Sequence, residues 1–304
     1  MDTTPLVFDR RLLAARRARA GRAPSDFLLS HVAGDVVDRL EAVQRRFGVA
    51  ADIGTPLPLL AEALAASGKA ERTIWLAPAG SPAAAGVDTV IGDEELLPFG
   101  PASLDLAVSA LAFQFVNDLP GVLAQLRRAL RPDGLLLAAF IGGESLHELA
   151  TALALAESEV TGGASPRVAP FVEVRAAGAL LQRAGFALPV VDQDRVTVRY
   201  ADPLALMRDL RAMGATNVLV ERARRPLPRA VLARAALDYA ERFADPDGRI
   251  RVTFDIVSLS AWVPHASQQK PLRPGSATVR LADALGAVER TAGEKAGAAR
   301  DGDR

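Results

Sequence analysis

The chain has no cysteine, which excludes disulfides, thiolate metal sites and cysteine nucleophiles. It has three histidines, His31, His147 and His265. None stands in a His-x-Asp or His-x-Glu pair, so a two-histidine iron site has no visible scaffold and no metal is expected. Among 36 basic residues only Lys69, Lys270 and Lys295 are lysines. The rest are arginine in a chain crowded with alanine, which reads as the coding bias of a GC-rich genome rather than an adaptation to phosphate. Thirty-six acidic residues bring the formal charge to zero, and nothing global steers the chain toward nucleic acid or an anionic membrane. No run approaches the roughly 18 uninterrupted apolar residues of a membrane span, and no transmembrane segment is expected. The Arg- and Ala-rich segment 10–22 is flanked by Asp2 and Asp9 and followed by no apolar h-region. It reads as a solvated basic helix or arm rather than a targeting signal, and the cytoplasm is the default location.

What is present suffices for one sizeable core: 304 residues, 50% of them hydrophobic,. From residue 49 a short apolar run, a turn and an amphipathic helix repeat. Strands are expected over 49–54, 73–77, 87–91, 104–109 and 135–140. The helix launched at Asp118 carries Leu119, Val122, Leu123 and Leu126 on one face,, with Asp118 as its N-cap. Continuous apolar strands alternating with helices mean a parallel sheet covered on both faces. Later, 144–160 reads as a helix, 196–200 as a strand, 203–243 as helical decoration and 250–263 as a strand. The arginines of 222–229 read as a solvated face or a partner contact. Residues 1–48 form an N-terminal basic arm and helix, 49–286 a domain with helical insertions, and 287–304 a disordered tail.

Three segments together resemble the class I S-adenosylmethionine (SAM)-dependent methyltransferases. They are the acidic turn Gly92-Asp93-Glu94-Glu95-Leu96-Leu97-Pro98-Phe99, the strand Ser103 to Ser109, and the turn Leu130-Arg131-Pro132-Asp133-Gly134. The resemblance implies a doubly wound, mostly parallel α/β sheet of the Rossmann-like type. Further motifs narrow it: Phe115 to Pro120, Gly142-Gly143-Glu144-Ser145-Leu146, the run 156–171, Asp209 to Gly214, and Trp262 through His265, Gln268, Lys270 and Pro271 to Val279. Over about residues 6 to 285 the chain resembles the mitochondrial complex I assembly factors with a methyltransferase fold, implicated as protein-arginine hydroxylases, and their bacterial relatives. That resemblance implies a partner among the subunits of respiratory complex I. A methyltransferase acting on a small molecule or carrier protein, and a non-catalytic binding module, remain the alternatives.

SAM is the cofactor that the superfamily resemblance implies, with Asp52, Gly54, Asp93, Glu94 and Ser109 as the residues placed to hold it. Two of its usual determinants are missing. Gly54 is retained, but Pro56 and Pro58 fill the next two glycine positions, and proline fixes φ near −65° and offers no N–H. No acid stands between Arg72 and Val87 to take the ribose hydroxyls. The third determinant, the acid that reads the adenine amino group, is kept as Asp93. For substrate, Gln114 and Asn117 stand at the carboxyl end of the fourth strand, where ligands meet open parallel sheets. His265, Gln268 and Lys270 are expected to face them across the carboxyl edge. No residue is marked as catalytic.

Overall fold

The computed structural model describes residues 6–81, 84–269, 279 and 281–286. Two compact units divide the chain, 1–265 and 266–304. The tail expected over 287–304 lies outside the described residues, and of the second unit the one described helix is the short Leu281–Leu285. In the first unit the elements run α1 (Arg10–Ala20), α2 (Phe27–Glu41), β1 (Phe47–Ile53), α3 (Leu59–Ala66), β2 (Ala70–Ala77), β3 (Asp88–Ile91), β4 (Leu104–Ala110), α4 (Leu119–Ala129), β5 (Leu130–Gly142), α5 (His147–Thr161), α6 (Val174–Arg183), β6 (Ala187–Tyr200), α7 (Pro203–Ala212), α8 (Arg229–Phe243) and β7 (Ile250–Trp262). The arm and helix expected over 1–48 contribute α1 and α2 to this same unit. Among the described residues no helix is long and apolar enough to cross a membrane.

The seven strands form one sheet in the order β3-β2-β1-β4-β5-β7-β6, parallel except where β7 runs against β5 and β6. Strand periodicity of two sorts the apolar side chains onto its faces. Leu135, Leu137, Ala139 and Ile141 join α2, α3, α5, α7 and α8 on one side. Leu136, Ala138 and Phe140 join α4 and α6 on the other. Continuous hydrophobicity in β5 is thus two interleaved stripes, each buried by its own helical layer. Asp118 caps α4 as its sequence suggests, accepting from the Gly121 amide at 2.8 Å.

Two segments depart from the sequence reading. β6 extends back to Ala187, well before the expected 196–200. It is an edge strand with alternating exposure, so it tolerates Pro189 and the charges of Asp192, Asp194 and Arg195 that mask its pattern,. The second departure concerns β7. Because it is antiparallel to β5, pairing Leu135 with Trp262 and Gly142 with Asp255, it delivers His265 to the amino edge of the sheet, away from Gln114. The expectation that His265 faces Gln114 and Asn117 is corrected on that ground: a 13-residue strand separates its two ends by roughly 40 Å,.

Candidate functional site

The chain leaves β1 toward β2 and β3 on one side, then returns to β4 on the other. That reversal opens a crevice at the carboxyl ends of β1 and β4, where open α/β sheets bind ligands,. The turn after β1 forms its floor. Ser109 donates to the Ile53 carbonyl at 2.8 Å, and the Thr55 hydroxyl accepts from the Ala110 amide at 3.0 Å while donating to Asp52. Trp75, fully buried, donates to the Thr55 carbonyl at 3.1 Å. Ser109 and Thr55 are therefore spent on joining β4 to the end of β1, and Asp52 on holding the Thr55 hydroxyl. Asp52 is wholly inaccessible, its Oδ2 has no hydrogen-bond partner, and burial pushes its carboxyl up to about 8.

That shift has a sign. The unfolded chain ionises Asp52 near pH 4 and the folded chain only near 8, so between those values the folded state holds the extra proton and loses stability as pH rises. Asp52→Asn removes the titration. Its melting temperature relative to the parent is expected to rise by several degrees between pH 5 and pH 8, read by calorimetry at both pH values. A constant difference would show that Asp52 titrates normally.

Gly54 follows with φ of 71°, a left-handed conformation that glycine adopts freely,. A Cβ there would come within 3.0 Å of Glu94 Cβ and 3.3 Å of Ala112 Cβ. The close approach that this glycine permits is thus to the protein's own acidic turn. Glu94 is buried, at 2% exposure, and its Oε1 accepts from Arg10 Nη2 at 2.9 Å and Arg17 Nη1 at 3.2 Å. Asp93, half exposed, accepts from the same Arg10 nitrogen at 2.7 Å. Both arginines come from α1, seven residues apart and so on one helical face. The helix then continues over the end of β2, where a Cβ at Gly80 would stand 3.2 Å from that of Ala18. The basic segment read as solvated is docked on one face: Arg10 and Arg17 neutralise the acids of the β3 turn, while Arg11, Arg19 and Arg22 stay exposed.

Beside this turn opens a cavity of about 760 Å³, lined among others by Pro56, Leu57, Leu111, Gln114 and Arg17. Gln114 donates through Nε2 to the Leu111 carbonyl at 2.8 Å, while its buried Oε1 has no partner. Leu111 and Leu146, both in the wall, hold positive φ of 52° and 59°. Non-glycine residues held there cost about 1–3 kcal/mol each, and such strain gathers at ligand sites.

Asn117, paired with Gln114 in the sequence reading, lies elsewhere. Its Oδ1 accepts from the Val7 and Phe8 amides at 2.9 and 2.8 Å, and its Nδ2 donates to Phe8 O at 3.2 Å, tying down the segment before α1. His265 is exposed. Gln268 belongs to the second unit, and Lys270 lies outside the described residues. Among the described residues, no group of three or more His, Asp or Glu could hold a metal ion. Sequence reasoning gave Arg10, Arg17 and the arginines of 222–225 no place in the site, reading the first two as part of a solvated helix or arm and the others as a solvated face or a partner contact. The spacing of the first two was legible, but not the acids that they meet about 80 positions away.

A seven-stranded sheet reversing between β1 and β4, with an acidic turn after β3, defines a class I SAM-dependent methyltransferase fold. A methyltransferase-domain family model matches residues 59–138. The solved YcgJ protein of Bacillus subtilis aligns over 76% of this chain and 98% of its own, with a TM-score of 0.50 at 13% identity, a likeness of fold alone. The mitochondrial arginine-hydroxylase NDUFAF5 of Danio rerio is 38% identical over 288 residues, covering 91% of this chain and 89% of that protein. A malonyl-[acyl-carrier protein] O-methyltransferase of Xylella fastidiosa is 39% identical over 58% of this chain and 57% of its own. The chain belongs to the arginine-hydroxylase NDUFAF5 family. Its curated relatives there are mitochondrial proteins, which overturns the cytoplasmic location expected from composition.

Proposed function

We propose that this protein modifies or assembles a subunit of respiratory complex I, in the manner of an arginine hydroxylase, and that its SAM site is too eroded for ordinary methyl transfer. The observation that carries the reading is the docking of Arg10 and Arg17 on Asp93 and Glu94, in a chain similar to an arginine hydroxylase almost end to end. The residues at the SAM position do not fit that molecule. Pro56 and Pro58 replace the glycines that let a backbone approach a ligand, Gly54 is packed on Glu94, and β2 ends in Ala77 with no acid for a ribose. Similarity to the hydroxylase extends through β6 and β7, well past the methyltransferase-domain match at 59–138.

Calorimetric titration of the full chain with SAM and S-adenosylhomocysteine is expected to give no saturable binding. Dissociation in the low micromolar range would overturn the eroded-site reading. The biological role is tested by deleting the gene in its source organism. Complex I should fail to mature, and an arginine of one subunit should lose an added oxygen by mass spectrometry; full maturation with the arginine still modified would sink the proposal. A methyltransferase acting on a small molecule or carrier protein is the second reading. It is favoured by the large cavity beside the β1 turn, and tight SAM binding would select it.

A further inference from the structure

The cavity carries an electrostatic imbalance that the proposed function does not use. Arg16, Arg17, Arg167 and Arg222 stand in its walls, and Arg211, Arg224 and Arg225 at its exposed rim. No Asp or Glu lines it among the described residues. Three of the arginines are neutralised from behind: Arg17 by Glu94, Arg167 by Glu157 and Arg222 by Asp9. Arg16, Arg211, Arg224 and Arg225 make no ion pair among the described residues, although the chain as a whole carries equal numbers of acids and bases. Arg16 hydrogen-bonds the Asn217 carbonyl. Burial, then the neighbouring charges of Arg222, Arg19 and Arg211, make its own charge harder to hold. Crowding guanidinium groups around a low-dielectric hollow focuses positive potential into it.

Two further features say what the hollow is shaped to take. Much of its lining is apolar, with Leu28, Leu29, Leu149, Leu153, Met207 and Leu210, so a small hydrated ion would leave that surface wet. Two side chains of the lining each hold a buried polar atom without a partner, Arg17 Nη2 as a donor and Gln114 Oε1 as an acceptor, and of the two only the arginine donor suits an anion. Native proteins rarely leave such atoms orphaned unless a ligand or water completes them. The volume lies within the 300–1,000 Å³ of small-molecule sites,.

We propose that this cavity binds an amphipathic anion, a carboxylate or phosphate head on an apolar body, with the head on the Arg16–Arg211 side and the body over the leucine floor. Guanidinium forks match the paired oxygens of either head group. A target arginine carries the same sign as these guanidinium groups, so the ligand assigned here is not that side chain.

The test is calorimetric titration of the full chain with dodecanoate and dodecyl phosphate below their micellar ranges, beside dodecyltrimethylammonium, inorganic phosphate and a glutamate-rich peptide. At least one anionic amphiphile is expected to bind saturably, and the better of the two names the head group. The cation and inorganic phosphate should bind at least about tenfold more weakly. Arg16→Gln combined with Arg211→Gln should weaken the anion about tenfold or more, the loss expected for charge-assisted hydrogen bonds, with an unchanged melting temperature. Equal binding of cation and anion, no binding of either anion, or unaltered affinity in the double variant would overturn the proposal. Binding of the acidic peptide without the amphiphiles would also overturn it and assign the surface to a protein partner.

Discussion

Glu94→Ala is expected to cost about 3–5 kcal/mol and lower the melting temperature by roughly 10 °C, the penalty for removing one partner of a buried ion pair. Glu94 is 2% exposed and sits between Arg10, whose side chain is 19% exposed, and Arg17, at 9%. Without it both guanidinium groups remain buried, with Asp93 half in solvent as the nearest compensation. Arg17 already has one nitrogen without a partner. Glu94→Gln, which keeps the shape and one acceptor, should fall between parent and alanine variant. Replacing Arg10, Arg17 and Glu94 together by apolar residues of similar size should recover most of the loss, because the desolvation of all three charges disappears with them. Thermal and denaturant unfolding read these effects. A loss below about 1 kcal/mol in Glu94→Ala would place the cluster among solvated surface pairs.

Asp255→Ala is expected to destabilise the protein by about 2–4 kcal/mol. Asp255 lies in β7 with no exposure. Its carboxylate accepts from Arg195 Nε and Nη2 at 2.8 and 3.0 Å and from the Glu144 amide at 2.9 Å, while its own amide donates to Ser145 Oγ at 2.8 Å. This network fixes the Gly142-Gly143-Glu144-Ser145 turn that leads into α5 and positions Leu146 in the cavity wall. Gly143 is obligatory there: φ is 54°, and a Cβ would come within 2.6 Å of Asp255 Oδ2. Burial raises the Asp255 carboxyl, but Arg195 and the Glu144 amide outweigh it and hold the group below the usual range. The stabilisation is therefore fully present above about pH 4 and is lost as pH falls through the lowered folded value. The gap between parent and variant should narrow below pH 4 in urea unfolding series. An equal gap at pH 3 and pH 7 would mean that Asp255 acts by packing alone. Asp52 behaves oppositely, because its burial has no cationic partner to offset it.

The particular elements show why some features were legible and others were not. β1, β4 and, from Leu135 onward, β5 are buried on both faces, so they appear in the sequence as largely apolar runs bounded by turns, interrupted only by Asp52 in β1 and by Asp105 and Ser109 in β4. Asp118 caps its helix through atoms three residues away, a local event. β6 was largely hidden because an edge strand with one solvated face needs no continuous apolar run. The site followed the same division. Local residues gave the crevice: Gly54 with its positive φ, the prolines that begin α3, and Gln114 beyond β4. What fills the crevice came from afar, since Arg10 and Arg17 reach acids 77 to 84 positions on in the chain.

By itself, then, the sequence determined the periodicities, the strand-ending turns, the absence of an acid over 73–86 and the prolines at 56 and 58, because each is a property of a few adjacent residues. Only tertiary structure decided that a basic helix thought solvated would set Arg10 and Arg17 against the acidic turn. It also decided that Asn117 would clamp the amino-terminal segment and that antiparallel β7 would carry His265 to the far edge. It brought arginines 16–17, 167, 211 and 222–225 around one hollow. Charge pairing and strand direction depend on which distant surfaces meet, and composition and periodicity hold no record of that meeting.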